Sequence, residues 1–438
     1  MSFKQLLGKQ LIIADGGLGT QLQEAGLAPG EAPILWNITH PDEVRSIHQN
    51  YLRAGSTLIT TNTFSAGAIM LGGDASMALE AVERGVHLAR EAIEKQGSDA
   101  FVALDVGPLG RMLKPLGDVP FEHALEIFTQ QVESGASAGA DLVLIETMFD
   151  TYEIKAAVLA ARQACQLPVL ATVTLDVRGR MLNGADSACI CALLEGLGVD
   201  ALGMNCGGGP EEAAPFIEEF RNYSSLPLIL NPNAGLPITE HDFTTYPVGP
   251  DEFAALMEPL VREYVAVAGG CCGTTPEHIK ALAECCSGVV PKEITKTSRR
   301  LVSSYSQTVD LEGAELNIDR RLGPVINSSF AAALQDEDYS FAVDEALEAR
   351  DDEAQIIALT AACPDIDEAE VLSLLIEEIQ TRVRLPLALI TGNLVALERA
   401  LRAYNGCPLV SLELLDPAQR QEAETLATRY GAIILDKL

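Results

Sequence analysis

Three cysteines lie in glycine-rich segments that directly follow short apolar runs. Cys206 stands in Gly203-Met-Asn-Cys206-Gly-Gly-Gly, and Cys271 and Cys272 stand in Gly269-Gly-Cys-Cys-Gly-Thr. Three thiolates without a fourth protein ligand are typical of an open zinc site, where water or an incoming ligand takes the vacant position. Zinc lowers the pKa of a thiol that binds there and keeps it as a thiolate. Because three thiolates outweigh the charge of Zn²⁺, the centre is electron-rich and favours thiol alkylation over hydrolysis.

Five other cysteines lack this context. Cys285 and Cys286 are adjacent, and Cys165, Cys189 and Cys191 are isolated, so we interpret them as buried core or helix-face thiols. The start of the chain carries no apolar signal segment, and every apolar run is shorter than the ~18 residues that a membrane span needs. We therefore expect a reduced, cytoplasmic protein without a transmembrane helix.

Two carboxylates also follow apolar runs. Asp15 begins Asp15-Gly-Gly-Leu-Gly-Thr20, and Glu146 follows Leu142–Ile145. A carboxylate at a buried strand end needs a cationic partner, which is either a substrate ammonium or a nearby Arg or Lys. We favour substrate binding for both. A nucleotide-binding glycine loop at Asp15 is the weaker alternative, because the acidic residue precedes the glycines and no acidic residue ends the second strand.

The elements that must position these residues alternate between strands and helices. Continuous apolar runs predict parallel strands buried on both faces, at Leu11–Ala14, Thr57–Thr61, Phe101–Leu104, Leu142–Ile145, Val169–Val173, Ala201–Met204, Pro227–Leu230 and Val265–Ala268. Amphipathic patterns predict helices between them, at Pro41–Ala54, Ser76–Gln96, Phe121–Ala138, Thr151–Ala164 and Glu211–Asn222.

Eight strand–helix units predict a (β/α)₈ TIM barrel, and a doubly wound open sheet is the alternative. We favour the barrel because polar residues end nearly every predicted strand. The active site of such a barrel lies at the carboxyl ends of its strands, which brings the cysteines and carboxylates together. Asn62, Asp105 and the Asn231–Asn233 segment occupy further strand ends.

The rhythm changes after the barrel. We assign residues 1–290 to the barrel, residues 291–320 to a linker and residues 321–438 to a smaller α/β domain of about half-barrel length. In the smaller domain the patterns predict strands at Ala354–Leu359, Leu385–Ile390 and Leu409–Leu412. They predict helices at Phe341–Arg350, Glu368–Val383, Leu394–Ala403 and Pro417–Tyr430.

The composition restricts the classes of partner. The chain has 62 acidic residues against 30 Lys and Arg, for a net charge of -32. A surface field of that sign repels phosphate backbones and anionic lipids, so we expect neither nucleic-acid binding nor membrane association. A small zwitterionic substrate, or a protein partner, is compatible with it.

The motifs together resemble the homocysteine S-methyltransferase family, most closely the homocysteine-binding barrel of cobalamin-dependent methionine synthase, over about residues 8–290. The resemblance rests on Asp15–Thr20, Thr60–Phe64, Asp105–Pro108, Glu146, Gly203–Cys206, Pro232–Gly235 and Gly269–His278. It implies a zinc-dependent barrel that activates homocysteine as a thiolate, with Cys206, Cys271 and Cys272 as catalytic zinc ligands. It further implies that Asp15, Gly16 and Glu146 bind the substrate, with Asn205 and Asn233 in matching motifs. Asn231 departs from the family, which commonly has an acidic residue there.

Residues 321–438 resemble the start of the pterin-binding barrel that follows the homocysteine barrel in methionine synthase. Gly323–Asn327, Thr360 and Thr391 occupy positions where that domain carries pterin-binding groups, but the polar groups other than Asn327 are changed. We therefore expect a truncated, degenerate domain that does not bind tetrahydrofolate. Because a half barrel exposes sheet edges, we interpret it as an interaction module that docks on the barrel, on a second copy or on a methyl-carrying protein.

These patterns predict a zinc-dependent enzyme that methylates homocysteine to methionine. The chain lacks the Asp-x-His-x-x-Gly signature of corrinoid domains. Methylcobalamin is therefore expected only on a separate corrinoid protein, which we favour as the donor. A small sulfonium or quaternary ammonium donor is the first alternative. A non-catalytic zinc-binding scaffold subunit of a methyl-transfer complex is the second.

Overall fold

The computed structural model describes residues 2–240, 243–294, 299–312 and 315–438, and for residues 239, 240 and 243 it describes the backbone only. Contacts divide the chain into two compact units. The first contains Met1–Leu182 and Val199–Lys296, and the second contains Asn183–Gly198 and Thr297–Leu438.

Eight parallel strands form the sheet of the first unit. They are β1 (Ile12–Ile13), β2 (Leu58–Thr60), β3 (Phe101–Val106), β4 (Leu142–Met148), β5 (Val169–Val173), β6 (Ala201–Asn205), β7 (Leu228–Asn231) and β8 (Val265–Ala268). The sheet runs from β1 through β8, β7 and so on to β2. Ala14 pairs with Leu58, and the Thr57 N–H donates to the Ile13 carbonyl over 2.7 Å, which joins the two ends of the sheet. The predicted barrel is confirmed, and the open doubly wound alternative is wrong.

Apolar side chains fill the interior of the barrel, since the continuous apolar strands are buried on both faces. One buried cluster takes residues from all eight strands or their ends, including Leu58, Leu144, Leu170, Ile229 and Val267. Strands β3 and β4 run further than their apolar runs predicted. Asp105 pairs with Leu144, and Met148 pairs with Val173, so the ladder continues through the polar residues that end each strand.

The helices of the barrel agree closely with the predicted ranges. Those that follow or precede the strands of the first unit are Phe3–Leu6, Leu18–Glu24, Trp36–Thr39, Pro41–Ala54, Ala66–Leu71, Ala75–Gln96, Phe121–Ser137, Thr151–Ala164, Pro210–Tyr223, Pro250–Glu263 and Pro276–Cys285, with a 3₁₀ turn at Pro33–Leu35. An antiparallel hairpin, Ile238–Glu240 with Phe243–Thr245, follows β7. The helix Ser187–Gly196 follows β5 in the sequence but belongs to the second unit by its contacts.

A five-stranded parallel sheet forms the core of the second unit, in sequential order: β9 (Ile318–Leu322), β10 (Ile356–Leu359), β11 (Leu387–Ile390), β12 (Leu409–Ser411) and β13 (Ile433–Leu435). Its remaining helices are Ser328–Gln335, Ser340–Asp351, Glu368–Arg382, Leu394–Ala403 and Arg420–Arg429, with a 3₁₀ turn at Pro417–Gln419. The predicted second α/β domain is confirmed. The sequence analysis missed β9 and β13, because these edge strands are mostly half-buried and β9 is polar.

Part of the segment predicted as a linker has regular structure. Leu301–Ser303 pairs with Thr308–Asp310 in an antiparallel hairpin. Val302 and Val309 pack into the apolar cluster of the second sheet. The predicted linker also contains residues 295–298 and 313–314, among them Lys296, which lie outside the described residues.

None of the helices in the described part of the chain is both long and apolar enough to cross a bilayer.

Candidate metal and substrate site

The three predicted zinc ligands meet at one end of the barrel. Cys206 directly follows β6, and Cys271 and Cys272 follow β8. The Cys272 sulfur lies 3.9 Å from Cys206 Sγ and 4.0 Å from Cys271 Sγ, and all three sulfurs lie within 4.8 Å of one another. Tetrahedral zinc with ~2.3 Å bonds requires sulfurs about 3.8 Å apart. The cysteine cluster therefore fits zinc in both its donor atoms and its spacing.

The backbone around the cysteines joins three strand ends. The Cys206 N–H donates to the Asn231 carbonyl over 3.1 Å, and the Cys271 N–H donates to the Pro232 carbonyl over 2.8 Å. Cys206 itself has a φ of 56°, a left-handed conformation that costs free energy for a non-glycine residue. Such strain at a thiol is typical of a functional position that the surrounding structure holds in place.

Asn205 and Asn233 hold the cysteine cluster in place. Asn205 Nδ2 lies 3.8 Å from Cys271 Sγ, and its Oδ1 accepts from the Thr172 hydroxyl and the Thr147 N–H, each at 2.8 Å. Asn233 Oδ1 accepts from the Cys272 N–H over 3.1 Å. Their contacts orient two of the metal ligands, so their predicted role in substrate binding stays a prediction.

A cavity of about 290 Å³ brings the other predicted residues together. Its lining includes Asp15, Gly16 and Glu146 along with all three cysteines. A Cβ atom on Gly16 would lie 2.7 Å from the Thr274 hydroxyl oxygen and 3.0 Å from the Tyr51 ring, so the close packing at this position requires glycine. The barrel therefore places the thiol site and the carboxylates in a single space.

The two predicted carboxylates differ in their surroundings. Asp15 is 3% exposed and accepts hydrogen bonds from the N–H and hydroxyl of Thr60, each at 2.9 Å. Burial raises the pKa of Asp15 to about 7, although the Thr60 hydrogen bonds act against this. Burial, with the charges of Asp15 and Cys272, raises the pKa of the half-buried Glu146 to about 8.

Arg, Lys and His are absent from the described residues that line this cavity. A cationic side chain near Asp15 or Glu146 was the alternative to substrate binding. Its absence from the lining means that a ligand is the remaining source of positive charge.

The sequence analysis missed Thr60 as the partner of Asp15, and it missed Tyr246 altogether. The Tyr246 hydroxyl hydrogen-bonds with Cys272. The Tyr246 ring lies where a Cβ on Gly273 would be, because its Cγ is only 2.2 Å from that position. Thr60 begins a motif that could have indicated its role, whereas no sequence signal marks Tyr246, which lies in the loop after the hairpin.

The raised pKa of Asp15 predicts a pH-dependent cost to the substrate-free fold. The folded state holds the Asp15 proton more tightly than the unfolded chain does, so stability is lost as pH rises from about 4 through about 7. Relative to the wild type, Asp15→Asn should gain free energy of unfolding across this window, on the order of 4 kcal/mol by pH 8. Urea unfolding at pH 4 and pH 8, at fixed zinc concentration, measures it. Parallel pH curves for the two proteins would contradict the prediction, and the exposed Asp99→Asn is the control.

Comparisons with known proteins agree with this geometry. The chain is 30% identical to methionine synthase of Mycobacterium tuberculosis and 31% identical to that of Mycobacterium leprae, in each case over 98% of the chain. It spans only 38% of the length of each of these relatives.

Solved structures give the same family for the barrel. The homocysteine methyltransferase MmuM of Escherichia coli superposes with a TM-score of 0.53 and 26% identity, over 63% of this chain and 95% of that protein. A metallated form of MmuM superposes with the same TM-score at 25% identity. Residues 12–286, which contain every predicted site residue, match the family profile described as homocysteine S-methyltransferase. The chain belongs to the homocysteine S-methyltransferase family.

Proposed function

We propose that this protein is a zinc-dependent methyltransferase that converts homocysteine to methionine. The observation that carries the proposal is the cavity shared by the cysteine cluster and two carboxylates. Cys206, Cys271 and Cys272 have the spacing that a zinc ion needs, and Asp15 and Glu146 line the same space. Homocysteine has a thiol at one end and an ammonium group at the other, so one molecule could satisfy both parts of the cavity.

Each residue has a role in this proposal. Zinc bound by the three cysteines would supply the positive charge that keeps the substrate thiol deprotonated at neutral pH. Asp15 and Glu146 bind the substrate ammonium and thereby orient the sulfur. Asn205 and Asn233 fix Cys271 and Cys272 through the hydrogen bonds described above. The chain thus contributes mainly positioning, which can lower the barrier of a bimolecular reaction substantially.

A separate methyl-corrinoid protein is the donor that we favour. Large apolar side chains are exposed in the segments that follow β2, β3, β5 and β7, at the same end of the barrel as the cysteines. They are Phe64, Leu116, Val177, Leu182, Leu236 and Ile238, with exposures from 37% to 85%. Exposed apolar groups around a cavity are typical of a surface that a partner covers. They support a protein-borne donor over a free small molecule.

The second unit supports a donor other than methyltetrahydrofolate bound in that unit. Val325, Ile326, Val395 and Leu414 are exposed in the segments that follow β9, β11 and β12. These are the strand ends at which a pterin-binding domain would present polar groups. We propose that residues 321–438 act as an interaction module.

A donor screen with homocysteine as acceptor tests the function. The zinc-loaded protein is supplied with a methylated corrinoid protein, free methylcobalamin, methyltetrahydrofolate, S-methylmethionine or betaine, and methionine is quantified. We expect methionine with the corrinoid protein and none with methyltetrahydrofolate alone. Faster transfer from S-methylmethionine or betaine would replace the corrinoid donor with a small cationic one. Purified protein that binds no zinc at 1:1 stoichiometry would contradict the central proposal.

A further inference from the structure

A third carboxylate lies in the same cavity without a partner. Asp105, near the carboxyl end of β3, lines the cavity together with Asp15 and Glu146. Its side chain is 6% exposed, and among the described residues its Oδ1 atom has no hydrogen-bond partner. A buried acceptor without a partner costs free energy, so its presence needs a reason.

The backbone holds Asp105 firmly in this position. Its N–H donates to the Thr61 hydroxyl oxygen over 3.1 Å, and its carbonyl accepts from the Thr63 hydroxyl at 2.7 Å and from Gln131 Nε2 at 3.1 Å. These groups satisfy the backbone and leave the carboxylate to the cavity. Asp105 is therefore kept unpaired by a fixed backbone and does not reach its position through a side-chain contact.

Other groups in the cavity increase this demand for hydrogen-bond donors. Asn231 Oδ1 also lacks a partner among the described residues, and Asn231 is 5% exposed. The charges of Glu146 and Asp15 act on Asp105. Asp15 already accepts two hydrogen bonds from Thr60, so it has less capacity left for a ligand. The cavity thus requires a ligand with positive charge and several N–H donors.

We propose that Asp105 is a further substrate-binding residue, which accepts an N–H of the substrate ammonium alongside Glu146 and Asp15. An ammonium group has three N–H donors, and three carboxylates of this cavity can receive them. This assignment rests on the proposed function, because it requires an amino thiol as the substrate. It gives the amino group, and not only the thiol, a large share in substrate selection.

Binding of two thiols to the zinc-loaded protein tests the assignment. Homocysteine carries the amino group, and 4-mercaptobutanoate is the same chain without it. Asp105→Asn keeps the shape and removes the charge, and we expect it to raise the calorimetric Kd for homocysteine about 10- to 100-fold. Its Kd for 4-mercaptobutanoate should stay within about 2-fold of the wild type, because the lost hydrogen bond is made only to the amino group.

The controls separate a binding role from a structural one. Asp99→Asn, an exposed change just before the same strand, should leave both Kd values unchanged. Substrate-free Asp105→Asn should unfold at the same temperature as the wild type or a higher one, since it removes an unpaired buried charge. Equal weakening of both thiols, or a lower unfolding temperature with unchanged selectivity, would overturn the assignment in favour of a structural role.

The outcomes also separate this assignment from the proposed function. If the wild type binds homocysteine and Asp105→Asn binds it equally well, the Asp105 assignment is wrong and the function stands. If the zinc-loaded wild type fails to bind homocysteine, the proposed function is wrong and the assignment is wrong with it.

Discussion

Cys272→Ala is expected to abolish both stoichiometric zinc binding and methyl transfer while the barrel stays folded. The Cys272 sulfur lies within 4.0 Å of both other sulfurs, so its loss leaves two thiolates for a metal that prefers four ligands. Zinc affinity should fall by more than about 100-fold, since even loss of an indirect contact to a metal ligand costs 10- to 100-fold. Metal analysis after gel filtration and methionine formation are the two measurements.

The fold should survive this change for a structural reason. Cys272 is half-buried at the end of the barrel and is not part of the apolar cluster that fills the interior. Cys363→Ala, a half-buried cysteine of the second unit, is the matched control and should keep full zinc content and activity. Retention of 1:1 zinc by Cys272→Ala would exclude the cysteine cluster as the metal site.

Glu146→Gln should weaken homocysteine binding by about 30- to 3000-fold, the range measured when one partner of a buried charge pair is truncated. Glu146 faces a cavity without a described cationic side chain, so the substrate ammonium is its expected partner. The variant should bind zinc as the wild type does, because the cysteines are untouched. We expect the loss in KM and in the calorimetric Kd.

The pH dependence sharpens the second test. Because the pKa of Glu146 is raised to about 8 in the substrate-free protein, wild-type affinity for homocysteine should increase as pH rises from about 6 to about 8. Glu146→Gln should lose the part of this increase that Glu146 causes. Glu133→Gln, an exposed change on the helix Phe121–Ser137, serves as the control. Wild-type affinity in Glu146→Gln would show that the amino group binds elsewhere.

Much of the barrel follows from local sequence patterns. The eight apolar runs each predicted a strand within a few residues, because a strand buried on both faces must be apolar at every position. The edge strands β9 and β13 escaped this logic. An edge strand has a more exposed side and fewer apolar requirements, so its sequence carries a weaker signal.

The candidate site shows the same division between local and tertiary information. Cys206, Cys271, Cys272, Asp15 and Glu146 follow predicted strands, and parallel strands in a barrel bring their carboxyl ends to one place. Their convergence could therefore be inferred without coordinates. The contact of Tyr246 with Cys272 could not, since it depends on the path of a loop that joins no predicted pair of elements.

The sequence by itself determined the ligand types, the order of the strands and the side of the barrel on which chemistry is placed. Tertiary structure alone decided which polar groups are already satisfied. Asp15 is paired with Thr60 and Asn205 with Thr172, whereas Asp105 Oδ1 has no partner in the described part of the chain. The physical reason is that hydrogen bonding depends on distances of a few tenths of an ångström between residues far apart in sequence. Residue type and spacing do not determine those distances.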